Sequence, residues 1–311
     1  MASAFARKHL KGEAMKTLLF SIFVSLSLSA SLFAERPIPY FVSTQWLNDH
    51  LKDKDLVLLQ VAFSRSEYSF AHLPGARFLW FESLAPSNPE LSTEMPAVDQ
   101  AKPVLEGLGI TPNSKIVLVF NGGNVTIATR MILALTYFGF GDRVALLDGG
   151  LPMWKSEGRS ISKETPAVER SSLTIEPHPN VITDADWVKD HLSSPNVSIV
   201  DARSKTFYDG NGGGVARQGH IKGAKSIPYS TIVDSTNKVK SLAELQKMFD
   251  EAGIKKGNTV VTYCHVGQQA TLVYLAAKYL GYNAMVYDGC FEDWNVRDES
   301  YPVEKTEAAK K

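Results

Sequence analysis

The sequence predicts an α/β protein of two tandem domains, each a small parallel sheet flanked by helices. Three observations carry this expectation. One pattern of short apolar runs is written twice at a spacing of about 141 residues, the runs alternate with helical segments in both copies, and a polar stretch bearing Pro166, Pro177 and Pro179 separates the copies. The chain has 311 residues, 44% hydrophobic and 21% charged, an ordinary globular composition with enough length for two cores. Its 33 basic residues balance 33 acidic ones and no Lys/Arg-rich run occurs, which speaks against nucleic acid as a partner.

Taken in order, the chain opens with Lys16 ahead of an apolar run from Leu18 to Leu32, and Leu32-Phe33-Ala34 offers a cleavage site before Glu35. Residues 1–34 are therefore read as an export signal, with a short extension before Met15. The run falls short of the roughly 20 apolar residues that cross a bilayer, so no membrane span is expected after cleavage. The expected location is an exported one, a bacterial periplasm. Residues 35–160 then form the first domain, 161–180 a linker, and 181–311 the second domain. Only two cysteines occur, Cys264 and Cys290, so the fold does not rest on a disulfide framework.

The two copies align from end to end. Ser43-Thr44-Gln45-Trp46-Leu47 is answered by Thr183-Asp184-Ala185-Asp186-Trp187-Val188, each a Ser/Thr cap before an amphipathic segment. The runs Leu56–Val61 and Val197–Ala202 fit buried strands. A turn follows each, Ala71-His72-Leu73-Pro74-Gly75-Ala76 and Gly219-His220-Ile221-Lys222-Gly223-Ala224, the second preceded by a glycine-rich insert, Gly210 to Gly214. Ile116–Asn121 matches Thr259–Cys264, and each leads through a loop into an apolar helix ending near Gly139 or Gly281. Each copy closes on Asp-Gly and a tryptophan, Asp148-Gly149 with Trp154 and Asp288-Gly289 with Trp294. The rings of Trp80, Trp154 and Trp294 are expected in the core or an interface.

Chemistry concentrates at Cys264. It stands where the strand Val260–Tyr263 stops, ahead of the loop His265-Val266-Gly267-Gln268-Gln269 and a helix beginning at Ala270. Ligands of open parallel sheets bind beyond the carboxyl ends of the strands. Backbone N–H groups converge in such a loop, and the first turn of the next helix leaves its own donors unpaired. These dipoles favour a thiolate over a thiol. Gly267 lets the amides approach the sulfur without a side chain in the way.

These motifs resemble those of tandem-domain rhodanese-type sulfurtransferases: the duplicated strand, the His-x-x-Gly-Ala turn, the Tyr-Cys-x-x-Gly loop and the Asp-Gly ending with its tryptophan. The resemblance runs from Phe41 to about Val303. It implies two tandem rhodanese-like domains with an inactive first domain, where Asn121 takes the cysteine's place, and a persulfide on Cys264 that carries sulfur from thiosulfate to cyanide or a thiol acceptor. It implies no cofactor. The loop departs from two known patterns, having neither a basic pair after the cysteine nor the Cys-Gly-Ser/Thr-Gly-Val-Thr loop of mercaptopyruvate enzymes, and thiosulfate remains the expected donor.

Substrate contacts are expected from His265, Val266, Gly267, Gln268 and Gln269, with Arg203 and Arg217 as sources of positive charge. Each has a plainer reading as well: His265 as a neutral loop imidazole, the two glutamines as surface amides, Arg203 as the structural partner of Asp201, Arg217 as a solvated charge. Cys290 reads as a packed thiol beside Phe291 and Trp294, with resolution of a persulfide as the alternative. No short Cys/His ligand pair for a metal occurs. A mercaptopyruvate donor, a noncatalytic persulfide relay and a cysteine phosphatase stand as competing functions; the last lacks the arginine that usually ends a phosphate loop, since Gln269, Ala270 and Thr271 stand there.

Overall fold

The apolar runs of the first repeat become strands because both of their faces are covered. In the computed structural model, which describes residues 36–306, strands β1 (Phe41–Val42), β2 (Leu56–Ala62), β3 (Arg77–Trp80), β4 (Lys115–Phe120) and β5 (Val144–Leu147) form one sheet in the order β1-β5-β4-β2-β3. Every neighbouring pair is parallel. The connections contain helices α1 (Thr44–His50), α2 (Arg65–Phe70), α3 (Val98–Gly107), α4 (Thr126–Leu135) and α5 (Gly150–Ser156). Unbroken burial along β2 and β4 marks central parallel strands with helices on both faces. The expected export signal lies outside the described residues, and among these no helix is long and apolar enough to cross a membrane.

The second repeat writes the same topology again. Its strands are β6 (Ile182–Thr183), β7 (Val197–Asp201), β8 (His220–Ile221), β9 (Lys225–Ser226), β10 (Thr259–Tyr263), β11 (Asn283–Tyr287) and β12 (Val303–Glu304). Five make a parallel sheet in the order β6-β11-β10-β7-β9, and β8 pairs antiparallel with β12. Its helices are α6 (Ala185–Asp190), α7 (Lys205–Tyr208), α8 (Leu242–Glu251), α9 (Ala270–Tyr279) and α10 (Cys290–Trp294). The likeness extends to side chains: Trp46 stacks on His50 at 4.0 Å and Trp187 on His191 at 3.8 Å, while Tyr68 stacks on His72 at 3.9 Å and Tyr208 on His220 at 3.7 Å.

Alternate residues divide the first sheet between two cores. Leu58, Val117, Val119, Ala145 and Leu147 pack with Leu47, Leu151 and Trp154, whereas Val57, Leu59, Val61, Leu118 and Phe120 belong to a core that continues into the second repeat. Helices α4 and α9 meet there, and the hydroxyls of Thr129 and Thr271 hydrogen-bond across the contact. Each repeat also lends a backbone amide to the other's Asp-Gly turn: Met95 N–H donates to Asp288 at 3.1 Å, and Val239 N–H to Asp148 at 2.7 Å.

Two details differ from the sequence expectation. The cap of α6 is Asp184, whose carboxylate accepts the Trp187 N–H at 2.8 Å, because an Asp directly ahead of the first turn reaches that donor and Thr183 is already in β6. Trp80 is not packed in the core: it ends an edge strand, Leu79 takes the inward position, and the indole is 46% exposed. Trp154 and Trp294 are buried, each donating its indole N–H to a backbone carbonyl, Ser160 and Pro302 respectively. The stretch between the repeats is laid along the first one: Ser162 exchanges backbone hydrogen bonds with His72, and Glu106 holds Ser171 and Leu173.

Candidate active site

Strand β10 delivers Cys264 to the end of the second sheet because its last residue, Tyr263, is anchored below. The Tyr263 hydroxyl donates to Asp201 at 2.6 Å and accepts the Ile221 N–H at 3.1 Å. Burial and the adjoining Asp201 hold that phenol well above its usual range, so it stays a donor. The first repeat has Phe120 and Gln60 at the corresponding positions, and it places Asn121 where the thiol stands.

Cys264 is buried. The loop then turns through Gly267, whose φ of +81° lies in the left-handed region. Burial raises the Cys264 pKa, but the Cys290 thiol and the N–H groups of Ala270, Val266 and Gly267 outweigh burial and lower it to about 6. The site therefore favours the thiolate over the thiol. The amides that stabilise it are those the loop–helix junction was expected to supply, and an anionic sulfur added to Cys264 would meet the same donors.

The thiol beside it is Cys290, the first residue of α10. Cys264 N–H donates to Cys290 Sγ at 3.2 Å, and the Cys290 thiol donates to the Tyr287 carbonyl at 3.0 Å. Helix α10 is tied to the loop, since Phe291 and Glu292 donate their N–H groups to the carbonyls of Cys264 and His265, both at 3.0 Å. Both cysteines are free thiols. Burial and the Cys264 charge hold Cys290 well above its ordinary range, so one thiolate is formed and not two.

The remaining sequence candidates divide. Val266 and Gly267 belong to the cradle through their amides. His265 is half-buried near Phe207, with Nδ1 lacking a partner among the described residues; burial and then the Arg203 charge lower its pKa, which keeps it neutral. Gln268 turns to the first repeat and donates to Thr126 Oγ1 at 2.9 Å. Gln269 caps α9 by its position, without a side-chain cap bond.

The two arginines are engaged elsewhere. Arg203 is buried, forks onto both oxygens of Asp201, donates to the Gly219 carbonyl at 2.6 Å and stacks 4.0 Å over the Phe291 ring. Arg217 closes the C-terminal end of α10, donating to the carbonyls of Trp294, Asn295, Asp298 and Tyr301. Neither guanidinium is directed at Cys264 by these bonds.

Residues that sequence reasoning missed come from the first repeat and from the Asp288 turn. The Thr93 hydroxyl donates to the Val266 carbonyl. Arg130, buried, donates to Asp288 at 2.5 Å and to the Gly267 carbonyl at 3.3 Å, while its Nε and Nη2 find no partner among the described residues. Ser92 donates its N–H and hydroxyl to Glu292. Glu94 lies among Asp288, Asp293, Glu292 and Arg130, and burial, reinforced by the Asp288 charge, pushes its carboxyl up to about 7. The one sequence signal was a lone arginine in the apolar run Thr126–Leu135 where the second repeat has Leu272. Among the described residues, no group of three or more His, Cys, Asp and Glu side chains is placed to hold a metal ion.

A family model for the rhodanese-like domain matches residues 43–157 and again 184–297. Thiosulfate/3-mercaptopyruvate sulfurtransferase 1, mitochondrial, of Arabidopsis thaliana is 27% identical over 315 residues, covering 90% of this chain and 81% of its own. Thiosulfate sulfurtransferase of Azotobacter vinelandii is 28% identical over 268 residues, covering 86% and 97%. The crystal structure of the 3-mercaptopyruvate sulfotransferase SseA from Escherichia coli superposes with a TM-score of 0.73 at 23% identity, over 82% of this chain and 99% of that one.

Proposed function

Because this chain belongs to the rhodanese-like family, with a matched domain in each half, we propose that it is a sulfurtransferase that takes sulfane sulfur from thiosulfate and carries it as a persulfide on Cys264. The observation that carries the reading is the buried Cys264 sulfur lodged among the amides of Val266, Gly267 and Ala270, which favour its thiolate. The thiolate attacks the outer sulfur of thiosulfate, a Cys264–sulfur bond forms, the donor's S–S bond breaks, and sulfite leaves with the electron pair. Cyanide or a thiol then attacks the outer sulfur of the persulfide and returns Cys264 as a thiolate. The amide cradle stabilises negative charge on either sulfur without reorganising.

Thiosulfate is favoured over mercaptopyruvate by the manner in which positive charge is used. A keto acid carboxylate calls for a basic side chain to grip it, and Arg203 and Arg217 are occupied by Asp201 and by backbone carbonyls. Backbone amides remain as the receivers of a small anion. The first repeat, with Asn121 in place of a thiol, serves as a support: Thr93 and Arg130 brace the loop carbonyls of Val266 and Gly267. We place the protein in an exported compartment, on the apolar run Leu18–Leu32; cell fractionation finding it wholly cytosolic would count against that.

The test is intact-mass measurement after incubation with thiosulfate, then with cyanide. Wild type is expected to gain one sulfur and lose it to cyanide as thiocyanate, and Cys264→Ser to gain none. Sulfur uptake from mercaptopyruvate and none from thiosulfate would reassign the donor. Hydrolysis of aryl phosphates without sulfur uptake from either would overturn sulfur transfer itself.

A further inference from the structure

The second thiol occupies a position that disfavours a side chain. Cys290 holds φ at +53°, the left-handed region that costs an L-residue about 1 kcal/mol or more. The first repeat has Gly150 there, at φ +57°, and a Cβ on it would come within 2.8 Å of the Phe120 ring and carbonyl. The second repeat thus carries a strained cysteine where its twin carries glycine. Its sulfur sits against the backbone N–H of Cys264, with α10 tied to the Cys264 and His265 carbonyls. The chain's only two sulfhydryls are therefore held side by side, while burial shields Cys264 from a bulky external thiol.

We propose that Cys290 is a resolving thiol, which attacks Cys264 Sγ in the persulfide, releases the outer sulfur as hydrosulfide and leaves a Cys264–Cys290 disulfide for a small dithiol reductant to reopen. The proposal rests on the persulfide reading above. In this step the Cys290–Cys264 sulfur bond forms, the persulfide bond breaks, its electron pair leaves on the outer sulfur, and the Cys290 proton is given up to that sulfur. The dithiol then gives two electrons and two protons to that disulfide through a mixed disulfide, becoming a disulfide itself and restoring the two thiols. With thiosulfate and a dithiol the cycle yields sulfite, hydrosulfide and oxidised dithiol. The charge relation between the thiols sets the order of events: while Cys264 is a thiolate, its charge helps keep Cys290 protonated, and once the charge has moved to the outer sulfur that restraint weakens.

Single turnover of the full chain tests this. Reduced protein is loaded with thiosulfate, freed of excess donor and left without acceptor, and hydrosulfide and intact mass are followed for wild type, Cys290→Gly and Cys290→Ser. Glycine suits the left-handed position, and serine controls for loss of the side chain. Wild type is expected to release hydrosulfide while its mass falls to that of a disulfide, two hydrogens below the reduced chain, with the Cys264 and Cys290 peptides linked; both variants are expected to hold the added sulfur until cyanide removes it. A wild-type persulfide that lasts as long as those of the variants, with no linked peptides, overturns the resolving role and leaves the persulfide reading intact. Failure of all three proteins to gain sulfur from any donor overturns both.

Discussion

The hydroxyls of Thr129 and Thr271 meet at 2.7 Å where α4 of the first repeat packs on α9 of the second. The two residues occupy matching positions, so the contact lies on the approximate twofold that relates the repeats. Each hydroxyl also faces a carbonyl of its own turn, Thr129 that of Thr126 at 3.2 Å and Thr271 that of Gln268 at 2.7 Å; the shorter bond engages the Thr271 proton more firmly and assigns Thr129 as the donor across the interface. Thr129→Val should therefore cost about 1 kcal/mol, one ordinary hydrogen bond, with the loop undisturbed. Thr271→Val should cost more, about 2 kcal/mol, because two hydrogen bonds are lost, that with Thr129 and that to the part-buried Gln268 carbonyl. Urea unfolding of the two variants ranks them, and the opposite order would reverse the donor assignment.

One residue further along, the symmetry breaks. Arg130 faces Asp288 and the Gly267 carbonyl, whereas Leu272 holds the matching place in the second repeat. Arg130→Leu would leave Asp288, itself buried, without its cation, and removal of one partner from a buried pair costs about 3–5 kcal/mol. Asp288→Asn placed on top of Arg130→Leu should recover part of that loss. A thermal unfolding cycle on the four proteins reads the coupling, and strictly additive losses would show that the pair does not act as a unit.

The features legible in the sequence were those that lie within one window of chain. The alternation of β2, β4, β7 and β10 with helices, and the placing of Cys264 at a strand end before a glycine-bearing loop, follow from local pattern. Thr93, Arg130 and Asp288 could not be read in that way, because they converge only when two repeats pack face to face. Arg203 is legible both as the partner of Asp201 and as charge for an anion, and the structure has the pair; Arg217 is legible as a solvated charge or an anion contact. The sequence offers no sign that Arg217 is spent on four carbonyls, Trp294 and Asn295 at the end of α10 and Asp298 and Tyr301 beyond it. The environment of Cys290 was equally hidden, since a left-handed φ at a cysteine is set by the turn that its glycine twin also makes.

The loop geometry predicts a titration. Cys264 has its pKa lowered to about 6, so thiolate is present above that pH and is lost as the pH falls through it. The rate of Cys264 alkylation by iodoacetamide, read in the wild-type chain from the mass of the Cys264 peptide, should show a midpoint well below the ordinary value of 9.0. Gly267→Ala should move the midpoint upward: a Cβ at this left-handed position would lie 3.1 Å from Thr93 Oγ1 and 3.3 Å from Arg130 Nη1 and the Asp288 carbonyl. The loop must yield, and its amides then leave the sulfur. An unchanged midpoint in Gly267→Ala would remove the loop amides from the account of thiolate stability.

A second titration belongs to the contact between the repeats. Glu94 is pushed from its ordinary value of 4.5 up to about 7 by burial and by the neighbouring Asp288, with Arg130 opposing and Asp293 and Glu292 adding to the rise. The folded protein thus prefers the protonated form of Glu94 more than the unfolded chain does. Its favourable contribution to stability is complete below the ordinary carboxylate value and is lost as the pH rises through about 7. Glu94→Gln keeps the neutral shape at every pH, so the variant should match wild type at pH 4.5 and unfold at a higher temperature than wild type above pH 7. Thermal unfolding across that interval checks it by difference, which cancels the other titrating groups. A gap between the two proteins that stays constant with pH would mean that Glu94 ionises in the folded state as freely as in the unfolded chain.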